Sequence, residues 1–234
     1  AQEVNSQEYI QQLSIKHKIK VDEVDFIKFS SRIRQYYVAS VFQQSLQFLK
    51  DFKKEWREYF PENEWVAKEK GETNLQDILK NISTDISDDV ISVYEYYRLV
   101  RNYMAHTDRD IKELESRLEE IKNNSNRYLI HPHISSLPNS LEEIKFEDFL
   151  LITNIVKHIA FVICNNSKPD NIKIAELLLQ LSKKNEGKAY KGLKKLKNNR
   201  RYQKALESFL FTSFGRFSSE DTETITKEFK RLLA

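Results

Sequence analysis

Glycine and proline are scarce, four of each in 234 residues, and the chain has one cysteine and one methionine. So few turn formers exclude a turn-rich all-β fold. The single cysteine, Cys164, excludes an internal disulfide and any cysteine-based zinc site. A lone thiol of this kind is expected to serve as a small buried apolar side chain. No apolar run reaches the 18 residues of a membrane-spanning helix, and no segment has the form of a signal peptide. These absences point to a reducing cytoplasm, where unpaired thiols are the norm, and to no membrane partner.

What is present suits a helical protein. Hydrophobic residues make up 40% of the chain and aromatics 12%, enough to bury a sizeable core. Charged residues make up 31% and the mean hydropathy is −0.62, as expected for wide solvated helix faces. The formal charge of +3 is unevenly spread. Between Lys183 and Lys204 there are ten Lys or Arg residues and one acid, Glu186, so this segment carries +9 and the rest of the chain −6.

Apolar periodicity predicts an all-α protein. Short helices are expected over Ser6–His17 and Asn74–Ile82, the latter capped by Thr73 or Asn74. Asp22–Phe60 reads as one long helix or two joined at a kink, followed by a loop over residues 61–73. Ile86–His106 is a strong helix with Ser83, Thr84 or Asp85 as caps. Thr107–Asp110 resembles a capping box opening a helix over Asp108–Lys122. Asn123–Ser140, with Pro132 and Pro138, is expected to be a long loop. Phe146–Asn165 is the most hydrophobic helix, and Pro169 stops it. Ile172–Leu181, Tyr202–Phe214 and Ser218–Leu233 complete the set. The composition shift places a domain boundary between residues 1–167, a helical domain, and residues 168–234, a basic helical extension.

The segment Arg101-Asn102-Tyr103-Met104-Ala105-His106 carries the candidate chemistry. On a wheel of 100° per residue, Ile86, Val93, Tyr97, Val100 and Met104 form a core stripe. Glu95, Arg98, Asn102 and His106 fall on the opposite side, with Arg101 on the flank. A solvated face of an amphipathic helix accounts for such a stripe without any function. With 12 Arg and 5 His in the chain, the spacing Arg-x4-His alone arises by chance in about one such sequence in four. Requiring Asn directly after the Arg reduces this to about one in fifty. A second pair, Arg127 and His133, falls in a loop with Pro132 between them, where no helix fixes its geometry.

The stretch Tyr97 to His106 resembles the signature helix of the HEPN superfamily (higher eukaryotes and prokaryotes nucleotide-binding domain), in which Arg is followed after four to six residues by His, very often with Asn directly after the Arg. A long helix before the motif (Arg34–Trp56) and an apolar helix after it (Phe146–Asn165) agree with this resemblance, which covers roughly residues 20–167. It implies an all-α bundle that pairs across a two-fold axis and brings two motif helices together. Many members are metal-independent endoribonucleases of toxin–antitoxin pairs, CRISPR effectors and other antiviral systems. Others have lost catalysis and act as binding modules. Some toxins of the superfamily carry a modifiable Tyr two residues after the His, where this chain has Asp108.

The residue types fit RNA cleavage. RNA supplies its own nucleophile, the 2′-hydroxyl, and an imidazole near neutral pKa can act as base or acid. A homodimer supplies His106 twice, one copy for each role. Arg101 can grip phosphate oxygens through two parallel N–H bonds, and Asn102, one turn before His106, can orient it or hold phosphate. The helix C-terminus favours an imidazolium at His106, and Asp108 acts in the same sense. Glu95 and Arg98 are expected to form a salt bridge, structural or across a dimer, with Arg98 a further candidate RNA contact. The chemistry calls for no cofactor or metal, and His131-Pro132-His133 is expected to be unliganded. In the basic extension, Lys191, Lys194, Lys195, Arg200 and Arg201 are candidate phosphate contacts, with Tyr190 and Tyr202 as stacking partners for bases. The aromatic cluster Phe209 to Phe217 is expected to pack on its own domain, a second protomer or a partner. The competing reading is a non-catalytic RNA-binding or protein-interaction module, an antitoxin or inhibitor subunit included.

Overall fold

A computed structural model describes residues 6–17, 26–106, 111–183, 191–193 and 199–233. Among these residues every regular element is helical, as the periodicity predicts. The helices are α1 (Ser6–His17), α2 (Phe26–Tyr59), α3 (Asn74–Asn81), α4 (Asp88–Ala105), α5 (Lys112–Asn123), α6 (Ser125–Leu129), α7 (Phe146–Asn166), α8 (Asn171–Lys183), α9 (Asn199–Phe214) and α10 (Ser219–Leu233). None is long and apolar enough to cross a membrane.

Two compact units emerge from the contacts, Ala1–Trp56 with Glu64–Ile163, and Arg57–Asn63 with Cys164–Ala234. Composition places the boundary after residue 167 and cannot see that residues 57–63 join the second unit. The tie is tertiary: Glu62 pairs with Lys173 at 2.8 Å, and the same ammonium lies 5.7 Å from the Phe60 ring centroid.

In the first unit, α2 is a single helix. It buries Gln35, Val38, Phe42, Ser45 and Leu49, a three-and-four spacing that keeps one face on the core. α7 does the same with Leu151, Ile155, Ile159 and Ile163. α4 is the central element. Eight of its residues are buried, and none from Asp89 to Met104 is fully exposed. The expectation of a solvated polar stripe on this helix is therefore corrected: the polar side of α4 is partly buried, and Glu95, Arg98, Arg101 and Asn102 all have protein partners. Phe42 of α2 packs against Tyr94 of α4 with centroids 4.8 Å apart, and the Tyr94 hydroxyl shares a 2.6 Å hydrogen bond with Ser45. Burial pushes this phenol up to about 12, and the Ser45 bond opposes the shift.

α4 is fixed on α7 through a buried carboxylate. Asp148 accepts hydrogen bonds from the Tyr97 hydroxyl (2.8 Å), the Asn139 backbone N–H (2.9 Å) and amide (2.8 Å), and the Lys145 backbone N–H (2.8 Å). The neighbouring Tyr96 hydroxyl donates to the Asn139 carbonyl. Four donors offset the desolvation of one carboxylate, which is why an acid can sit 1% exposed in this core.

Helix ends agree with the expectation at α3 and differ from it elsewhere. Thr73 caps α3 in a full capping box with Gln76. None of Ser83, Thr84 or Asp85 caps α4. The Ser83 and Thr84 N–H groups instead close the end of α3 by bonding the carbonyls of Lys80 and Leu79, with Ser83 at φ +50°. α4 starts two residues later than expected, after Ser87, with Asp88 and Asp89 in the first turn where the helix dipole favours acids. The proposed capping box at Thr107–Asp110, including Asp108, lies outside the described residues. The expected loop over residues 123–140 contains a short helix, α6, whose Tyr128 reaches the core.

In the second unit α8 packs on α10, and α9 closes a separate core of Ile174, Leu178, Leu206, Leu210, Ile225 and Phe229. Phe209, Phe214 and Phe217 pack half-buried on this core while Phe211 remains exposed, so most of the aromatic cluster serves its own unit. α9 ends at Gly215, whose φ of +86° lets its N–H reach the Phe211 carbonyl at 2.9 Å.

Candidate functional site

Arg101 lies near the C-terminal end of α4, half-buried. Its Nη2 donates to Gln43 Oε1 of α2 at 3.0 Å and its Nη1 to Asn102 Oδ1 at 3.2 Å. Both acceptors are neutral amides, and among the described residues no carboxylate pairs with this guanidinium. The cation is thus oriented without being neutralised, which is the state needed to receive an anion. Gln43 is a site residue that the sequence reading missed. The clue available was its place on the long helix before the motif, but nothing in spacing joins residues 58 positions apart.

The histidine departs from its expected place. α4 ends at Ala105, and His106 is the C-cap, with φ −139° and ψ 96°, extended rather than helical. Its backbone N–H still bonds the Asn102 carbonyl at 3.0 Å, and its side chain is exposed. The wheel position assigned to His106 therefore fails, because the residue has already left the helix. The link between Asn102 and His106 runs through the backbone, while the Asn102 amide oxygen serves Arg101. The result is a held cation and, one step beyond the helix end, an accessible imidazole.

Arg98 is placed differently. Its Nε donates to the Glu95 carboxylate one turn back, and its Nη2 lies 4.0 Å from Glu113 of α5. The pair is the expected salt bridge, and it occupies the guanidinium offered as an RNA contact. The second Glu95 oxygen, Oε1, is buried and accepts no hydrogen bond among the described residues.

The pair set aside on sequence grounds is dispersed. Arg127 binds Asp89 at the start of α4 at 2.7 Å. His131 and His133 gather a third ring, His158 of α7. The His133 and His158 rings stack at 3.8 Å between centroids, and His131 lies 5.6 and 5.9 Å from them. Burial, then the charges of His133 and His131, hold His158 below the ordinary imidazole range. No group of three or more His, Cys, Asp or Glu side chains among the described residues is arranged to hold a metal ion.

In the second unit Lys191, Arg200 and Arg201 are exposed, while Lys194, Lys195 and Tyr190 lie outside the described residues. Tyr202 is corrected from base stacker to core residue: it is buried, with the Lys230 ammonium 5.2 Å from its ring centroid. Cys164 is corrected in the other direction, being exposed. It follows the last buried residue of α7, Ile163, by one position, so the helix turns it away from the core. An open cleft of about 880 Å³ near Phe211, Arg216, Thr226 and Lys230 contains no residue of the motif.

The chain matches no protein-family model, no curated protein and no solved structure.

Proposed function

We propose that this protein is a metal-independent endoribonuclease of the HEPN type, acting as a toxin or antiviral-defence effector in the cytoplasm, with an active site completed by a second copy of the chain. The observation that carries this reading is the pairing of Arg101, held by Gln43 and Asn102 without a neutralising acid, with an exposed His106 at the end of the same helix. One His106 accepts the 2′-hydroxyl proton as O2′ attacks phosphorus. Its counterpart from the second protomer protonates O5′ as the P–O5′ bond breaks. The products are a 2′,3′-cyclic phosphate and a free 5′-hydroxyl, with no water consumed. Arg101 stabilises the extra negative charge of the five-coordinate phosphorus.

The test is cleavage by the His106→Ala variant in the presence of EDTA. Loss of one proton-transfer role lowers the rate by about 10²–10⁴, and because the side chain is exposed the fold and dimer persist in light scattering and circular dichroism. Unchanged cleavage by the variant, or activity that requires magnesium, refutes the reading.

The second reading, a non-catalytic RNA-binding or interaction module (an antitoxin subunit among them), is favoured by the occupation of Arg98 by Glu95. An RNA with one 2′-deoxy residue at the cut site separates the two. The enzyme binds it without cutting it and cuts the all-ribose strand, whereas a binding module leaves both strands whole.

A further inference from the structure

α2 presents an unusual outer face. Its core side is centred on Val38, Phe42 and Leu49. Phe29, Ile33, Tyr36, Ser40 and Gln43 fall within about 80° of arc on the opposite side. Three aromatic rings in this part of the helix are mostly open to solvent, Phe29 at 56%, Tyr36 at 65% and Tyr37 at 60%. The aromatic surface continues onto α7: Tyr37 meets Phe149 edge-on at 6.3 Å, and Phe149 stacks on Phe146, itself 61% exposed. With 150–250 Å² per ring, the four exposed rings offer roughly 500 Å², the size at which an apolar patch marks a binding surface.

Charge indicates what covers it. Residues 26–50 contain Lys28, Arg32, Arg34 and Lys50 and no acid. A second copy of this face would bring like charges together, whereas a polyanion relieves them. The strip also leads to the candidate site, since Gln43, on the same face and about 10 Å along the helix from Tyr36, holds Arg101. Acids lie beyond both ends of this stretch: Asp22, Glu23 and Asp25 precede it in sequence and Asp51, bonded by Gln47, follows it, while beside α7 Ser31 bonds the Glu142 carbonyl and Glu143 and Glu147 follow in sequence.

We propose that the outer face of α2 and the start of α7 form a binding track for single-stranded RNA, in which bases stack on Tyr36, Tyr37, Phe29 and Phe146, Arg32 beside the strip and Arg34 on the flank beyond Tyr37 contact phosphates, and the strand is led along α2 to Arg101. Exposed rings interleaved with cations recognise unpaired strands because every base offers a π-face, while duplex stacking hides those faces. The proposal rests on the RNA-cleaving reading for the identity of the track's destination. Its binding prediction stands separately from cleavage.

The experiment uses the full chain carrying His106→Ala, so that binding is read without cutting. A fluorescein-labelled mixed-sequence 12-nucleotide RNA is titrated and followed by anisotropy, beside the same strand annealed to its complement. The single strand binds more tightly than the duplex. Tyr36→Ala/Tyr37→Ala weakens binding of the single strand by about 5- to 150-fold, and Tyr36→Phe/Tyr37→Phe restores it, since stacking needs the ring and not the hydroxyl. Arg32→Gln/Arg34→Gln lowers the slope of log affinity against log salt by about 1.4, the value for two phosphate contacts on a single strand. Unchanged affinity in the double alanine variant overturns the proposal. So does equal affinity for duplex and single strand. A third refuting outcome is conversion of a dimer to a monomer by Tyr36→Ala/Tyr37→Ala with RNA affinity retained, which would make the strip a protein interface. Cleavage by the unmodified chain is measured in parallel, so an inactive protein whose track binds RNA refutes the nuclease reading and leaves the track intact.

Discussion

Replacing Asp148 with Asn tests whether α4, and with it Arg101, is fixed by the buried carboxylate. The substitution keeps the shape and removes the charge and half the acceptor capacity. Asp148 Oδ2 faces two N–H donors, the Asn139 amide and the Lys145 backbone, while Oδ1 faces the Tyr97 hydroxyl and the Asn139 backbone N–H. An amide nitrogen in place of Oδ2 meets two donors and satisfies neither. In place of Oδ1 it meets one N–H, and a Tyr97 hydroxyl that can rotate to accept. The second arrangement is the less costly. It still leaves one buried N–H without an acceptor and turns charge-assisted bonds into neutral ones, a loss of about 2–4 kcal/mol. For a unit of this size that corresponds to a fall in Tm of roughly 5–15 °C. Thermal unfolding followed by circular dichroism at neutral pH measures it. Tyr97→Phe removes a single donor and is expected to lower Tm by less, and the two changes combined cost less than their sum because they break one shared bond. If Asp148→Asn melts within about 2 °C of the parent, the carboxylate does not hold α4 and the reasoning fails.

Two further outcomes complement the His106→Ala and RNA-track experiments. Gln43→Met keeps the length of the side chain and removes the acceptor that orients Arg101. The fold persists because residue 43 is exposed, and kcat/KM for RNA falls about tenfold, the effect of losing one charged hydrogen bond of the weaker kind; an unchanged kcat/KM removes Gln43 from the site. The His131–His133–His158 cluster gives the first unit a pH-dependent stability. His158 is held below its unfolded value near 6.5, so the unfolded chain binds the proton more readily. Its contribution is complete above pH 6.5 and is lost as the pH falls through the folded value. Denaturant midpoints measured from pH 7.5 to 5 therefore decline more steeply for the parent than for His158→Gln, and parallel curves rule the cluster out as the cause.

Most helices were legible because their signals are local. The three-and-four spacing of Val38, Phe42, Ser45 and Leu49, or of Ile155, Ile159 and Ile163, follows from 3.6 residues per turn and needs no tertiary information. Thr73 was readable for the same reason as one of two candidate caps of α3, although its reciprocal bond with Gln76 was not. Caps failed where two helices compete for one linker. Ser83 and Thr84 satisfy the end of α3, so α4 begins later than the sequence alone indicates.

The sequence by itself determined the all-helical class, the extent of most helices, and the juxtaposition of Arg101 and Asn102 near a helix end with His106 close behind. Only the tertiary structure decided what those side chains meet. A periodic pattern distinguishes the two sides of a helix but cannot say whether the polar side faces water or another helix, and on α4 that side is partly buried. Hydrogen bonds across wide sequence separations then set the environment. Gln43 orients Arg101, and Asp148 anchors Tyr97, contacts that no spacing rule can foresee. The exposed rings of α2 belong to the same class of fact. Their periodicity reads as ordinary helix composition, and burial alone reveals that Phe29, Tyr36 and Tyr37 stand on the face turned away from the core.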